Sequence, residues 1–166
     1  MLTYPDFERA FDELMKNEGG YVDHPDDPGG ETNWGISKRS YPKVDIKNLT
    51  KEQAQLIYYR DFWVKIDYFL SYAIAFEAFD AAVNHGIRRS IKLLQEAAGT
   101  EPDGIVGPKS RIAFREISEN DMLLRFAAYR LRFYTNCAGW GTFGKGWVNR
   151  VAQNLINDSN HNAEDV

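Results

Sequence analysis

Between Ile66 and Asn84 the chain carries Phe69, Leu70, Tyr72, Ala73, Ile74, Phe76, Phe79, Ala82 and Val83. On a helix these residues cover nearly the whole circumference. A helix without a polar face has no place at a surface, so other elements must enclose it. That requirement limits the fold to one built by packing helices around a buried one. Asp80 and Asn84 interrupt the run, four residues apart and hence on one face, and His85-Gly86 closes it. Polar groups on a buried helix need partners. The two readings are a structural hydrogen-bond pair and a pair that reaches the floor of a binding cleft.

The surrounding helices can be read from their periodicity. Phe7, Ala10, Phe11, Leu14 and Met15 predict an amphipathic helix over 4–18, stopped by Gly19-Gly20. Thr50-Lys-Glu-Gln53 is a capping-box pattern that opens a helix offering Ala54, Ile57, Tyr58 and Phe62 to one face. Ile91, Leu94 and Ala98 mark a helix over 87–98. Asp103-Gly104 and Gly107-Pro108 then supply turns, with Pro108 suited to the first turn of the next helix. A long helix over 120–136 shows a core face of Leu123, Leu124, Ala127, Ala128, Leu131 and Tyr134, with Arg125, Arg130 and Arg132 among them. The Gly-rich stretch from Trp140 to Trp147 reads as a segment that leaves aromatic faces open, before a last helix from Val148 to about Asn157. Trp147 suits either capping of the core or stacking on a ligand. Residues 161–166 read as a flexible polar tail.

The residues able to do chemistry gather in 18–36. Glu18 lies four residues past Leu14 and seven past Phe11, so it continues the apolar stripe of the first helix. A carboxylate there meets the negative end of the helix dipole and an apolar flank. Both raise its pKa, which suits a general acid. A turn-rich loop holding Asp23, Asp26 and Asp27 follows, then Thr32, Trp34 and Ile36.

This stretch resembles the catalytic motif of glycoside hydrolase family 108, bacterial and phage muramidases of lysozyme-like fold. The matching residues are Glu18-Gly19-Gly20-Tyr21, Asp26-Asp27-Pro28-Gly29-Gly30 and Glu31-Thr32-Asn33-Trp34-Gly35-Ile36. The spacing is similar to that of phage-type lysozymes, where an Asp stands nine residues past the Glu, as Asp27 does here. Their Thr stands fifteen past it, and Thr32 is fourteen past. The resemblance implies a mostly α, lysozyme-like fold with a small β-hairpin or loop region after the first helix. It implies cleavage of the β-1,4 bond between N-acetylmuramic acid and N-acetylglucosamine, with Glu18 as proton donor. Asp27 and Thr32 would position water or support developing positive charge, and Tyr21 and Trp34 would wall the cleft. An Asp27 acting as base implies inversion and carboxyl groups about 6.5–9.5 Å apart, whereas about 5 Å implies retention.

A second resemblance spans about 80–150. Leu94-Gln95, Gly99, Asp103-Gly104-Ile105 and Gly107-Pro108 look like the helix-loop-helix signature of small peptidoglycan-binding domains. These residues read as architectural, with binding left to their surroundings. The string Phe-Asp-Ala-Ala-Val-Asn-His-Gly is similar to the matching family segment and favours Asp80 or Asn84 facing the cleft. The ending Phe-Gly-Lys-Gly-Trp-Val-Asn-Arg is family-like as well, which makes Lys145 and Arg150 candidates for stem-peptide carboxylates and Trp147 a further substrate contact. The expected organisation is a catalytic lobe over 1–79 and a helical peptidoglycan-binding lobe over 80–160.

Other chemistries fit poorly. Cys137 is the single cysteine, so neither a disulfide nor a cysteine metal framework is expected. No Gly-x-Ser-x-Gly or His-Glu-x-x-His occurs, and Pro25 and Pro28 break any calcium-loop alternation around the aspartates. No metal or cofactor is expected. Residues 1–80 hold 9 Lys/Arg against 15 Asp/Glu, net −6, and 81–166 hold 11 against 9, net +2. The acidic front half argues against nucleic acid as partner. No apolar run reaches the roughly 20 residues of a membrane span, and the N-terminus shows no signal-peptide pattern. A monomer made in the cytoplasm is expected, and the family resemblance implies that it acts on the wall after release by a holin or a dedicated export system, for cell lysis or for release of a toxin or other protein. The rival readings are a non-catalytic peptidoglycan-binding adaptor and a stem-peptide endopeptidase.

Overall fold

The computed structural model describes residues 5–16, 21–23, 30–66 and 70–164. They form two compact units, Met1–Lys65 and Ile66–Val166.

In the first unit, α1 spans Pro5–Met15 and buries Phe7, Ala10, Phe11 and Leu14, the stripe set by the sequence. It ends earlier than the expected residue 18, with Lys16 already in a turn. The helix α2, Lys51–Asp61, carries the complete capping box: the Gln53 backbone N–H donates to Thr50 Oγ1 at 3.3 Å, and the Thr50 N–H donates to Gln53 Oε1 at 3.0 Å. A 3-10 turn follows at Trp63–Lys65. Aromatic edges lock the helices together, Phe11 against Tyr58 at 5.5 Å and Phe7 against Tyr59 and Trp63 at 5.2 and 5.8 Å. Between the helices lies a short hairpin, β1 Thr32–Asn33 paired antiparallel with β2 Ile36–Ser37. Val22 adds a bridge to Thr32.

The second unit is helical. Its α3, Tyr72–His85, is buried without interruption from Ala73 to Ala82 and packs against α4 (Ile87–Ala97), α6 (Glu119–Thr135) and α7 (Trp140–Glu164). The expected lobe boundary at 79/80 falls inside α3, whereas packing places the whole helix in the second unit. Gly86, at φ 85°, allows the sharp passage from α3 to α4. Between α4 and α5 (Pro108–Glu116), Gln95 organises the loop. Its amide nitrogen donates to Asp103 Oδ1, the Ile105 carbonyl and Ser110 Oγ at 2.8–3.0 Å, and its oxygen accepts from the Gly104 N–H at 2.8 Å.

The last helix departs from expectation. It begins at Trp140, not Val148, and runs to Glu164, into the segment expected to be a tail. Packing over two glycines, one just before the helix and one within it, explains how a Gly-rich segment becomes helical. Gly139, at its threshold, lies under Phe143 and Trp147, where a Cβ would come within 3.0 and 3.1 Å of the rings. Gly144 is buried beneath the Trp140 indole, which a Cβ would meet at 2.6 Å. Aromatic packing over bare backbone offsets the poor helix propensity of glycine.

Candidate active site

The part of the 18–36 motif within the described residues is the hairpin. Glu18 and Asp27 lie outside them. Thr32 and Val22 exchange both backbone hydrogen bonds at 2.8 Å, so the start of the motif is tied back to its end. Thr32 is partly buried, and its hydroxyl donates to the Gly30 carbonyl at 3.1 Å. Tyr21, 44% exposed, donates its phenol to Glu31 Oε1 at 3.0 Å. Partial desolvation, then the Glu31 carboxylate, hold that phenol above its usual pKa, so it remains a donor.

Trp34 and Gly35 form a two-residue turn with φ of 52° and 70°. Two-residue hairpins favour this mirror-image turn, which needs positive φ at both centres. Gly35 takes it without strain. A bulky Trp at positive φ does not, and persists only where its surroundings impose it. Three groups do so. The Trp34 indole N–H donates to the Leu49 carbonyl at 3.1 Å, the Trp34 carbonyl accepts from the Tyr58 hydroxyl at 3.1 Å, and the Asn33 amide donates to the Ile46 carbonyl at 3.1 Å. The indole is thus held partly exposed on a fixed tip. Sequence reasoning assigned Tyr58 only to a core face. Its hydroxyl carries the Trp34 turn, and a Tyr among apolar helix positions was the available signal.

The candidates of the second unit fare differently. Asp80 is fully buried. Arg150 Nε donates to its Oδ1 at 2.7 Å, and Arg130 Nη2 donates to its Oδ2. Both Asp80 oxygens are thus taken by guanidinium groups in the interior of its unit. Those cations hold its carboxyl below the usual range although burial opposes them. Asn84 is exposed, but its amide turns back to the Asp80 backbone carbonyl at 2.7 Å, so the expected side-chain pair does not form. Arg150 is directed at Asp80, and Trp147 packs on Tyr134 at 5.2 Å between ring centres. Lys145 stands exposed.

Two residues of this cluster were missed. Arg130 is fully buried on α6 and donates from Nη1 to Glu77 Oε2 at 3.1 Å and from Nε to the Tyr134 hydroxyl at 2.7 Å. Burial pushes the Glu77 carboxyl up to about 7, with Arg130 opposing and Asp80 adding to the rise. Two acids on an apolar helix and an arginine on a predicted core face were the signal that these groups meet.

The Tyr134 hydroxyl also lies 3.0 Å from His85 Nε2. Which of the two donates depends on the histidine tautomer. Burial, then the charges of Arg130, Arg150 and Arg89 against that of Asp80, lower the His85 pKa to about 4. A folded pKa below the unfolded 6.5 gives stability that is present at neutral pH and lost as pH falls from about 6.5 towards 4. Glu77, raised to about 7, acts in the opposite sense over nearly the same range, so the His85 contribution is read as a difference: the denaturation midpoint of the wild type should fall relative to that of His85→Asn as pH drops from about 6.5 towards 4.

Comparison with known proteins gives this arrangement a family. The pattern of the Glycosyl hydrolase 108 family matches residues 11–86, and that of the Predicted Peptidoglycan domain matches 89–152. No curated protein matches the chain. Among solved structures, that of SagA from Brucella abortus is 33% identical with a TM-score of 0.80, covering 91% of this chain and 92% of that one. With the helix-rich architecture, the hairpin after the first helix and the peptidoglycan-domain helices all present, the chain belongs to glycosyl hydrolase family 108 and is a lysozyme-like, muramidase-type peptidoglycan hydrolase with a peptidoglycan-binding domain.

Proposed function

We propose that the enzyme cleaves the β-1,4 bond between N-acetylmuramic acid and N-acetylglucosamine. In this reading Glu18 protonates the glycosidic oxygen, while Asp27 and Thr32 position the attacking water or support charge developing on the sugar ring. Tyr21 and Trp34 wall the cleft. The observation that supports it most is the hairpin tip: a Trp held at positive φ by three hydrogen-bond tethers, two residues beyond Thr32. Strain of this kind, over-determined by its surroundings, is a mark of functional sites.

The site of action follows from the substrate, the cell wall, reached as a monomer through a holin or a dedicated export system. No helix among the described residues is long and apolar enough to cross a membrane. The reading is tested by digesting purified sacculi and analysing the products by mass spectrometry. New reducing muramic-acid ends support it; new amino groups without reducing ends would identify a stem-peptide endopeptidase. Following the product anomer by NMR assigns Asp27, since inversion goes with a base and retention with a nucleophile or stabiliser.

A further inference from the structure

The first turns of α7 carry a cavity of about 410 Å³ lined by Trp140, Gly141, Gly144, Lys145, Val148 and Asn149. Its size lies within the roughly 300–1,000 Å³ of small-molecule sites. The Trp140 indole lies on Gly144 and remains 38% exposed, and Val148 is 36% exposed beyond it. Both Lys145 and Asn149 are exposed. No lining residue is acidic, so nothing there repels a carboxylated polymer.

We propose that this groove binds an N-acetylated sugar ring of the glycan strand, the ring stacking on Trp140 while Asn149 and Lys145 meet the acetamido and hydroxyl groups. The inference rests on peptidoglycan being the substrate, and on the groove lying within the stretch matched by the peptidoglycan domain. It places recognition on Trp140 and Asn149 rather than on the inward-turned Trp147 and Arg150.

The chemistry favours a sugar over a peptide. An indole fixed flat on backbone presents a broad apolar face, which suits the C–H face of a pyranose. An amide offers a donor and an acceptor together, as an acetamido group requires. Gly141 adds a separate argument. A Cβ there would meet nothing within 4 Å, so no packing among the described residues calls for glycine. Glycine is nevertheless the poorest helix former after proline. Its use at an open groove fits close approach of a ligand to the backbone.

The test uses the full chain and reads the Trp140 indole N–H resonance, assigned by its loss in Trp140→Ala. The probes are the tetramer of N-acetylglucosamine and a free stem tripeptide. The tetramer should shift that resonance saturably, and the tripeptide should not. Gly141→Ala should raise the melting temperature by roughly 2–4 °C and weaken the tetramer at this site by about tenfold, the factor that a well-placed aromatic contact supplies. A variant that is more stable yet binds less cannot be explained by damaged folding. A silent resonance, a response to the tripeptide alone, or unchanged binding in Gly141→Ala would overturn the proposal. Cleavage of sacculi is scored separately. A wild type that binds here but does not cut overturns the catalytic reading and leaves this one standing.

Discussion

Glu18→Gln should lower the rate of sacculus cleavage by about 10²–10⁴-fold, the usual contribution of a positioned general acid. The amide keeps the shape of the carboxylic acid but has no proton to give at neutral pH. The leaving sugar oxygen must then depart as an alkoxide, and the barrier rises. Binding should be retained, because the variant removes an interaction realised only as the bond breaks. Pull-down of sacculi by the variant, beside quantified reducing ends, separates the two effects. If cleavage and binding fall together, Glu18 supports the fold or the cleft and is not the acid. If neither wild type nor variant cuts while both bind, the catalytic assignments of Glu18, Asp27 and Thr32 all fail.

Arg130→Met should destabilise the protein by about 3–5 kcal/mol at neutral pH, measured by denaturant unfolding. Methionine fills much of the volume, so the loss is chiefly electrostatic. Arg130 answers Glu77 and Asp80 and donates to Tyr134. Without it Asp80 keeps Arg150, but Glu77 loses the cation that opposes its burial. Glu77 can escape only by taking a proton. Its folded pKa, already raised to about 7, should rise further. A raised carboxyl pKa gives stability present at low pH and lost as pH rises through it. The variant should therefore fall short of wild type by more at pH 8 than at pH 5. Equal losses at both would show that Glu77 does not depend on Arg130. Glu77→Gln in the variant background should recover part of the deficit at pH 8.

Local rules carried much of the architecture. The stripe of Phe7, Phe11 and Leu14, the Thr50 capping box and the all-round apolar run of α3 each place a helix with little help from distant residues. The motif in 18–36 was legible as a family signature, since turn formers beside acids are local too. What could not be read was long-range. Asp80 and Arg150 are 70 residues apart, and nothing near Asp80 says whether it faces a cleft or a guanidinium group. The start of α7 was misjudged for a related reason. Four glycines in 139–146 weaken a helix when counted one by one, and two are compensated only by aromatic rings packing on them. Trp34 shows the opposite limit: its positive φ follows from Leu49, Tyr58 and the hairpin together, not from Trp.

The double neutralisation of Asp80 has a consequence for synthesis. The acid is translated early and its first arginine arrives 50 residues later, but its second lies 70 residues on, in the last helix. While the chain is being made, α3 through α6 can gather only around a carboxylate that is half answered, and Trp147 is not yet there to close over Tyr134. Locking of this unit therefore waits for the ribosome to release Arg150. A nascent chain halted before Arg150 should stay loosely packed and open to proteases, so the wall-binding portion becomes rigid only once α7 has been made.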